Sequence, residues 1–145
     1  MTRMNRAFVS ALIVSALLVP AGSALALDEN SVVGTWAIDF AAMQLALEAT
    51  YGPEYTASAD DTIMNNDVTM VLNADFTGTR TQTLSGNTEV VGATWSVSNI
   101  DGANCDITII DAEGGTTTTW TFVDDDTVNW TEVGLPTPVI MKRVP

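Results

Sequence analysis

The feature that most constrains this chain is a period of two, repeated between short turns over residues 67–144. Val68, Met70 and Leu72 alternate with Thr69 and Val71, the spacing of a strand with one face on a core. Asn73-Ala74-Asp75 begins a turn, and Thr77–Leu84 reads as the next strand. Ser85-Gly86-Asn87 turns into residues 88–97, where Gly92 predicts a bulge or bend. A turn cluster around Asp101-Gly102 leads to a strand over 105–111. Glu113-Gly114-Gly115 leads to one over 116–123, and Asp124-Asp125-Asp126 to one over 127–133. Residues 134–138, with two prolines, read as a rigid connection into a last strand, Val139–Val144.

One more strand precedes this run. Val32-Val33-Gly34-Thr35-Trp36-Ala37-Ile38-Asp39 is short, apolar and carries Gly-x-Trp, which brings the count to eight. Between it and the alternating region the period changes. Asp39 suits an N-cap, and Phe40, Met43, Leu47 and Tyr51 fall on one stripe of a helix that Gly52-Pro53 ends. Tight connections force antiparallel neighbours in chain order. Such a meander has two edges, and joining first strand to last removes them. The sequence therefore predicts an all-β fold: an eight-stranded antiparallel up-and-down β-barrel with one helix after the first strand. A two-sheet sandwich is the competing arrangement. Eight strands leave an interior that side chains fill or that holds one small ligand.

The start of the chain reads differently. Arg3 and Arg6 precede an apolar run over residues 7–19, shorter than the about 20 residues that span a bilayer. Pro20 and Gly22 follow, then Ala24-Leu25-Ala26, the small residues of a signal-peptidase site. Residues 1–26 are read as a signal peptide and 27–145 as one domain. The expected protein is exported, to the periplasm or the medium, and does not span a membrane. All 18 acids but only three of the five basic residues lie beyond residue 26, a net charge of −15. That field repels nucleic acid and anionic lipid surfaces. It fits a solvated acidic surface, or one that draws in a basic partner.

At this point the residues resemble the calycin superfamily, and within it the small lipocalin-like domains of exported bacterial proteins. The carriers are Gly34-x-Trp36 on the first strand, the meander after it, and a basic residue on the last strand. The resemblance implies that Trp36 lies across the closed end of the barrel with an Arg or Lys stacked over it. Arg143 is the first candidate and Lys142 the alternative, since a one-residue shift swaps faces. The chain lacks the disulfides of secreted lipocalins, and its helix follows the first strand rather than preceding the last.

Catalytic chemistry is poorly supplied. There is no His, one Cys and one Lys, and no Gly-x-Ser-x-Gly elbow. Carboxylates are plentiful, but most sit in turns, where Asp is favoured for local geometry. Asp124-Asp125-Asp126 and residues 101–106 lack the spacing of an EF-hand loop, so hairpin turns account for them better than calcium. No cofactor and no catalytic residue is predicted. Cys105, alone, reads as a small buried hydrophobe.

The predicted ligand site is the barrel interior, with Met70, Leu72, Trp95, Trp120 and Trp130 on its walls and Phe40, Met43 and Leu47 as a lid. The alternative is that these side chains simply fill the core. Arg80 belongs with the walls if residues 73–77 form a five-residue turn, because Leu72 then pairs with Gly78 and Arg80 faces inward. A four-residue turn puts it outside, and the cost of burying an unpartnered charge favours outside. Two functions follow. One is a noncatalytic carrier of a small hydrophobic or amphipathic ligand. The other is a solid-core interaction module acting through its acidic surface or loops, among them 56–66 and 134–138.

Overall fold

The computed structural model describes residues 26–53, 67–131 and 137–145. The predicted signal peptide, all but its last residue, lies outside the described residues, as do the loop 56–66 and most of the connection 134–138. The chain opens with a one-turn helix α1 (Glu29–Val32) and strand β1 (Gly34–Ile38), followed by helix α2 (Phe40–Tyr51). Seven strands follow: β2 (Asp67–Leu72), β3 (Thr77–Leu84), β4 (Asn87–Asp101), β5 (Asn104–Asp111), β6 (Gly114–Asp124), β7 (Thr127–Trp130) and β8 (Val139–Val144). Each pairs antiparallel with its neighbour in sequence, and β1 also pairs with β8, so the sheet closes into an eight-stranded barrel. No helix among the described residues is long and apolar enough to cross a membrane.

Period two sets the core. Directly paired residues share a face, so Trp36 opposite Met70 and Gly34 opposite Leu72 fix which side of β2 points inward. The same alternation brings Trp95, Ile107, Trp120, Phe122, Val128 and Met141 into the interior, each 3% exposed or less. The hairpin turns are held by the local bonds that Asp favours. Asp75 accepts from the Thr77 N–H, Asp111 from the Glu113 N–H and Asp124 from the Asp126 N–H, at 2.8–3.0 Å.

Two local expectations are corrected. Val32 and Val33 do not extend the first strand; Val32 ends α1. Asp28 and Ser31 form a reciprocal capping box, which satisfies N–H groups that a one-turn helix leaves open. Gly92 makes no bulge: β3 and β4 stay in register across it, with Thr79 opposite Gly92. The register of β4 shifts instead between Ser98 and Asp101, where Asn99 has φ 50°. Around α2 the expectation holds. The Asp39 carboxylate accepts from the Ala42 N–H at 2.9 Å, and the Gly52 N–H closes on the Glu48 carbonyl. Of its stripe, Met43 and Leu47 are buried and Tyr51 is exposed.

Candidate functional site

The two ends of the barrel differ. At one end Trp36 is fully buried, and its indole N–H donates to the Val32 carbonyl at 2.8 Å. Trp120 and Phe122 meet its ring edge to face, with centroids 5.5 and 6.0 Å away. Arg143, paired directly with Trp36 across β1 and β8, lays its guanidinium over the indole at 4.3 Å. The same guanidinium donates to the backbone carbonyls of Ser31 and Val33, tying α1 under the barrel. It reaches Asp126 at 3.2 Å on the solvent side. Gly34 makes room for it: a Cβ there would run into the guanidinium. Of the two basic candidates, Arg143 therefore holds this position. Lys142 faces outward and pairs with Asp39 at 2.8 Å. This end of the interior is filled by packed side chains.

Away from Trp36, the interior holds a cavity of about 290 Å³. That is close to the lower limit of roughly 300 Å³ for small-molecule sites. Met70, Leu72, Trp95, Ile109 and Trp130 form its apolar walls. Arg80, Gln82, Asp111, Thr116 and Thr118 supply its polar groups. Trp95 is set by two acceptors, the carbonyls of Asn73 and Thr77, at 3.0 and 3.1 Å. Gly78 keeps β3 close against β2, since a Cβ there would stand 2.6 Å from the Val71 carbonyl. Trp130 is fixed differently. It stacks on Trp120 at 5.9 Å, and its buried indole N–H has no hydrogen-bond partner among the described residues.

Arg80 corrects the orientation favoured from desolvation. Leu72 pairs with Gly78 and Met70 with Arg80, the register of a five-residue turn, so Arg80 shares the inward face and lines the cavity. The energetic objection does not apply, because Arg80 is exposed. An arginine can lay its apolar stem along such a wall while its charged head stays in water. Gln82, one step further on the same face, pairs with Val68.

Of the predicted ligand residues, the cavity brings together Met70, Leu72, Arg80, Trp95 and Trp130. Phe40, Met43, Leu47 and Trp120 do not line it. Met43 joins the buried core, and Trp120 packs against Trp36. Sequence reasoning passed over Gln82, Asp111, Thr116 and Thr118. The alternation of β3 alone points to Gln82, once Arg80 is known to face in. Cys105 is buried, as expected, and burial, helped by the Asp106 charge, pushes its thiol up to about 11.

Geometry thus defines a closed antiparallel barrel with one sealed end and an internal cavity. Comparison of the chain with protein-family models, with curated proteins and with solved structures finds no match.

Proposed function

We propose that this protein is an exported, noncatalytic, lipocalin-like carrier that holds a small hydrophobic or amphipathic ligand inside its barrel. The observation that carries this reading is the cavity of about 290 Å³, walled by Met70, Leu72, Trp95 and Trp130. A space walled largely by apolar side chains, with Arg80, Gln82, Asp111, Thr116 and Thr118 also in its lining, suits an occupant that is mostly apolar. The arrangement of Trp36 under Arg143 supports the calycin resemblance. On this reading the two ends have separate jobs, one sealing the barrel and one receiving the ligand. The competing reading, a solid-core interaction module acting through its acidic surface or loops, has less support because the interior holds a cavity.

Native mass spectrometry of gently purified protein tests the proposal, together with titration of a neutral fluorescent probe such as N-phenylnaphthylamine. A co-purifying adduct, or probe fluorescence that lipophiles displace, is expected. If no adduct appears and no probe binds, the carrier reading fails.

A further inference from the structure

Closure of the barrel is not even along its length. β6 runs from Gly114 to Asp124, whereas β7 covers only Thr127–Trp130, and the two last pair at Trp120 opposite Trp130. Beyond that point, among the described residues, Gly114–Thr119 is paired on the β5 side alone. One bond fixes where its backbone groups point. The Phe122 N–H donates at 2.8 Å to the carbonyl of Ala103, in the turn that leads into β5. Strand alternation then turns the even-numbered residues of β6 toward β5 and the odd-numbered ones away. The N–H and C=O of Gly115 and Thr117 therefore face the side that β7 does not reach. A groove of about 570 Å³ lies there, and its lining includes Thr117, Thr119, Trp130, Thr131 and Pro138. Asn129, in the same lining, has a buried side-chain oxygen with no hydrogen-bond partner among the described residues.

An open strand edge is a template for another strand, and proteins commonly guard one with Lys, Pro, a bulge or an inward charge. Gly114–Thr119 has no Lys, no Pro, no charged residue and no register shift against β5. We propose that this edge is a docking site for an extended, basic segment of a partner protein, which adds as a strand beside β6. Backbone bonds to Gly115 and Thr117 supply the affinity. Charge supplies the choice of partner. Glu113 is exposed at one end of the edge. At the other end Asp106 lies beside Thr119 on the outer face, accepting from its hydroxyl at 2.6 Å. Extended chain from Glu113 to Thr119 covers roughly 20 Å, so an incoming strand with a basic residue at each end brings each one toward a carboxylate. A second copy of this chain fits worse. Residues 27–145 carry a net charge of −15, and edge-to-edge pairing would set two such fields against each other. The edge accepts a strand whether or not the barrel holds a ligand.

The test uses a fluorescein-labelled, amidated peptide, Lys-Thr-Val-Thr-Val-Thr-Lys, followed by anisotropy and by backbone amide exchange of the protein. In the free protein the Gly115 and Thr117 N–H groups should exchange faster than that of Thr118, which faces β5. Adding the peptide should slow both. Glu in place of the two Lys residues should weaken binding by roughly tenfold or more, since both end contacts turn from attraction to repulsion. N-methylating the alternate set of peptide amides that faces β6 should abolish binding, and methylating the other set should be tolerated. Thr117→Pro removes one edge N–H and leaves the bonds to β5, so it should weaken the peptide by about fivefold. No binding, equal binding of the Lys and Glu peptides, or binding that both methylated peptides retain overturns the proposal. So does protection of the Gly115 and Thr117 N–H groups before any peptide is added, whether it comes from the chain itself or from a dimer seen in sedimentation.

Discussion

Replacing Arg143 by Met tests the sealed end most directly. The guanidinium is only 27% exposed, stacks over Trp36 at 4.3 Å, and donates to the carbonyls of Ser31 and Val33. Its contact with Asp126 faces water, where the carboxylate is 73% exposed, and such a pair contributes about 0–1 kcal/mol. The other contacts matter more. A cation over an indole is worth about 1 kcal/mol when partly desolvated. Two charge-assisted bonds at about 1.5 kcal/mol each, the low end of their range, add about 3. Met restores some of the apolar packing on the ring but none of the donors, so Arg143→Met should cost about 4 kcal/mol. Domains of this size hold roughly 5–15 kcal/mol in all, so the loss is large. Urea denaturation should show it as a lower midpoint at unchanged slope, and thermal melting as a drop of roughly 10–20 °C. Arg143→Lys should recover only part, since an ammonium lacks the planar fork. A double-mutant cycle with Trp36→Phe should give a coupling of about 0.5–2 kcal/mol. A loss under about 1 kcal/mol for Arg143→Met, or full recovery with Lys, would refute the reasoning.

Other positions give independent checks. Gly34→Ala meets both a φ of +145° and the Arg143 guanidinium, and should destabilise by about 1–3 kcal/mol in the same urea assay. Ile107→Ala, at a fully buried site, should cost about 2–5 kcal/mol. Cys105 should resist a thiol-reactive disulfide reagent in the native protein and react promptly in urea, because its thiol is buried and raised to about 11. The Asp39–Lys142 pair carries a pH dependence with two limbs. The Lys142 hydrogen bond and the Ala42 N–H hold Asp39 below its ordinary 3.8, so its contribution is present above that value and lost as pH falls through the folded pKa. The Asp39 hydrogen bond raises Lys142 above its ordinary 10.5, so its contribution is present below that value and lost as pH rises through the folded pKa. Asp39→Asn keeps an acceptor for the helix cap and removes the charge. It should flatten both limbs in urea midpoints measured across pH.

Much of the barrel was legible because alternation and turn residues agreed. Thr77–Leu84 and Val139–Val144 fall where the apolar period and the Gly, Asn and Asp clusters place them. Arg143 rather than Lys142 follows from register, which only the closing pair of strands determines. The orientation of Arg80 was less legible for a local reason. The β2–β3 turn puts Phe76 at φ 64°, in a region that Asn or Gly normally signals. Without that signal its length could not be counted from the residues alone. Its place is fixed from a distance: Phe76 packs on Trp95 at 5.2 Å, and the Trp95 N–H donates to its carbonyl at 2.9 Å. The cavity was harder still. Whether Trp120 walls a void or fills the core depends on its contact with Trp36, which lies 84 positions earlier in the chain.

The pairing of β1 with β8 has a consequence for how the chain acquires its structure. Thr35 pairs with Val144, so the contacts that complete the sheet close a loop nearly as long as the domain. Hairpins between consecutive strands form cheaply, whereas this last seam waits on the entropy of bringing distant ends together. A chain emerging from its N-terminus can assemble β2 through β7 in turn, but β1 keeps one bare edge until Val139–Val144 arrive. Until then Trp36 has no guanidinium over it and the Ser31 carbonyl of α1 lacks its donor. The final six-residue strand thus acts as a latch, and shortening the chain by that strand would leave two exposed sheet edges prone to pairing with other molecules.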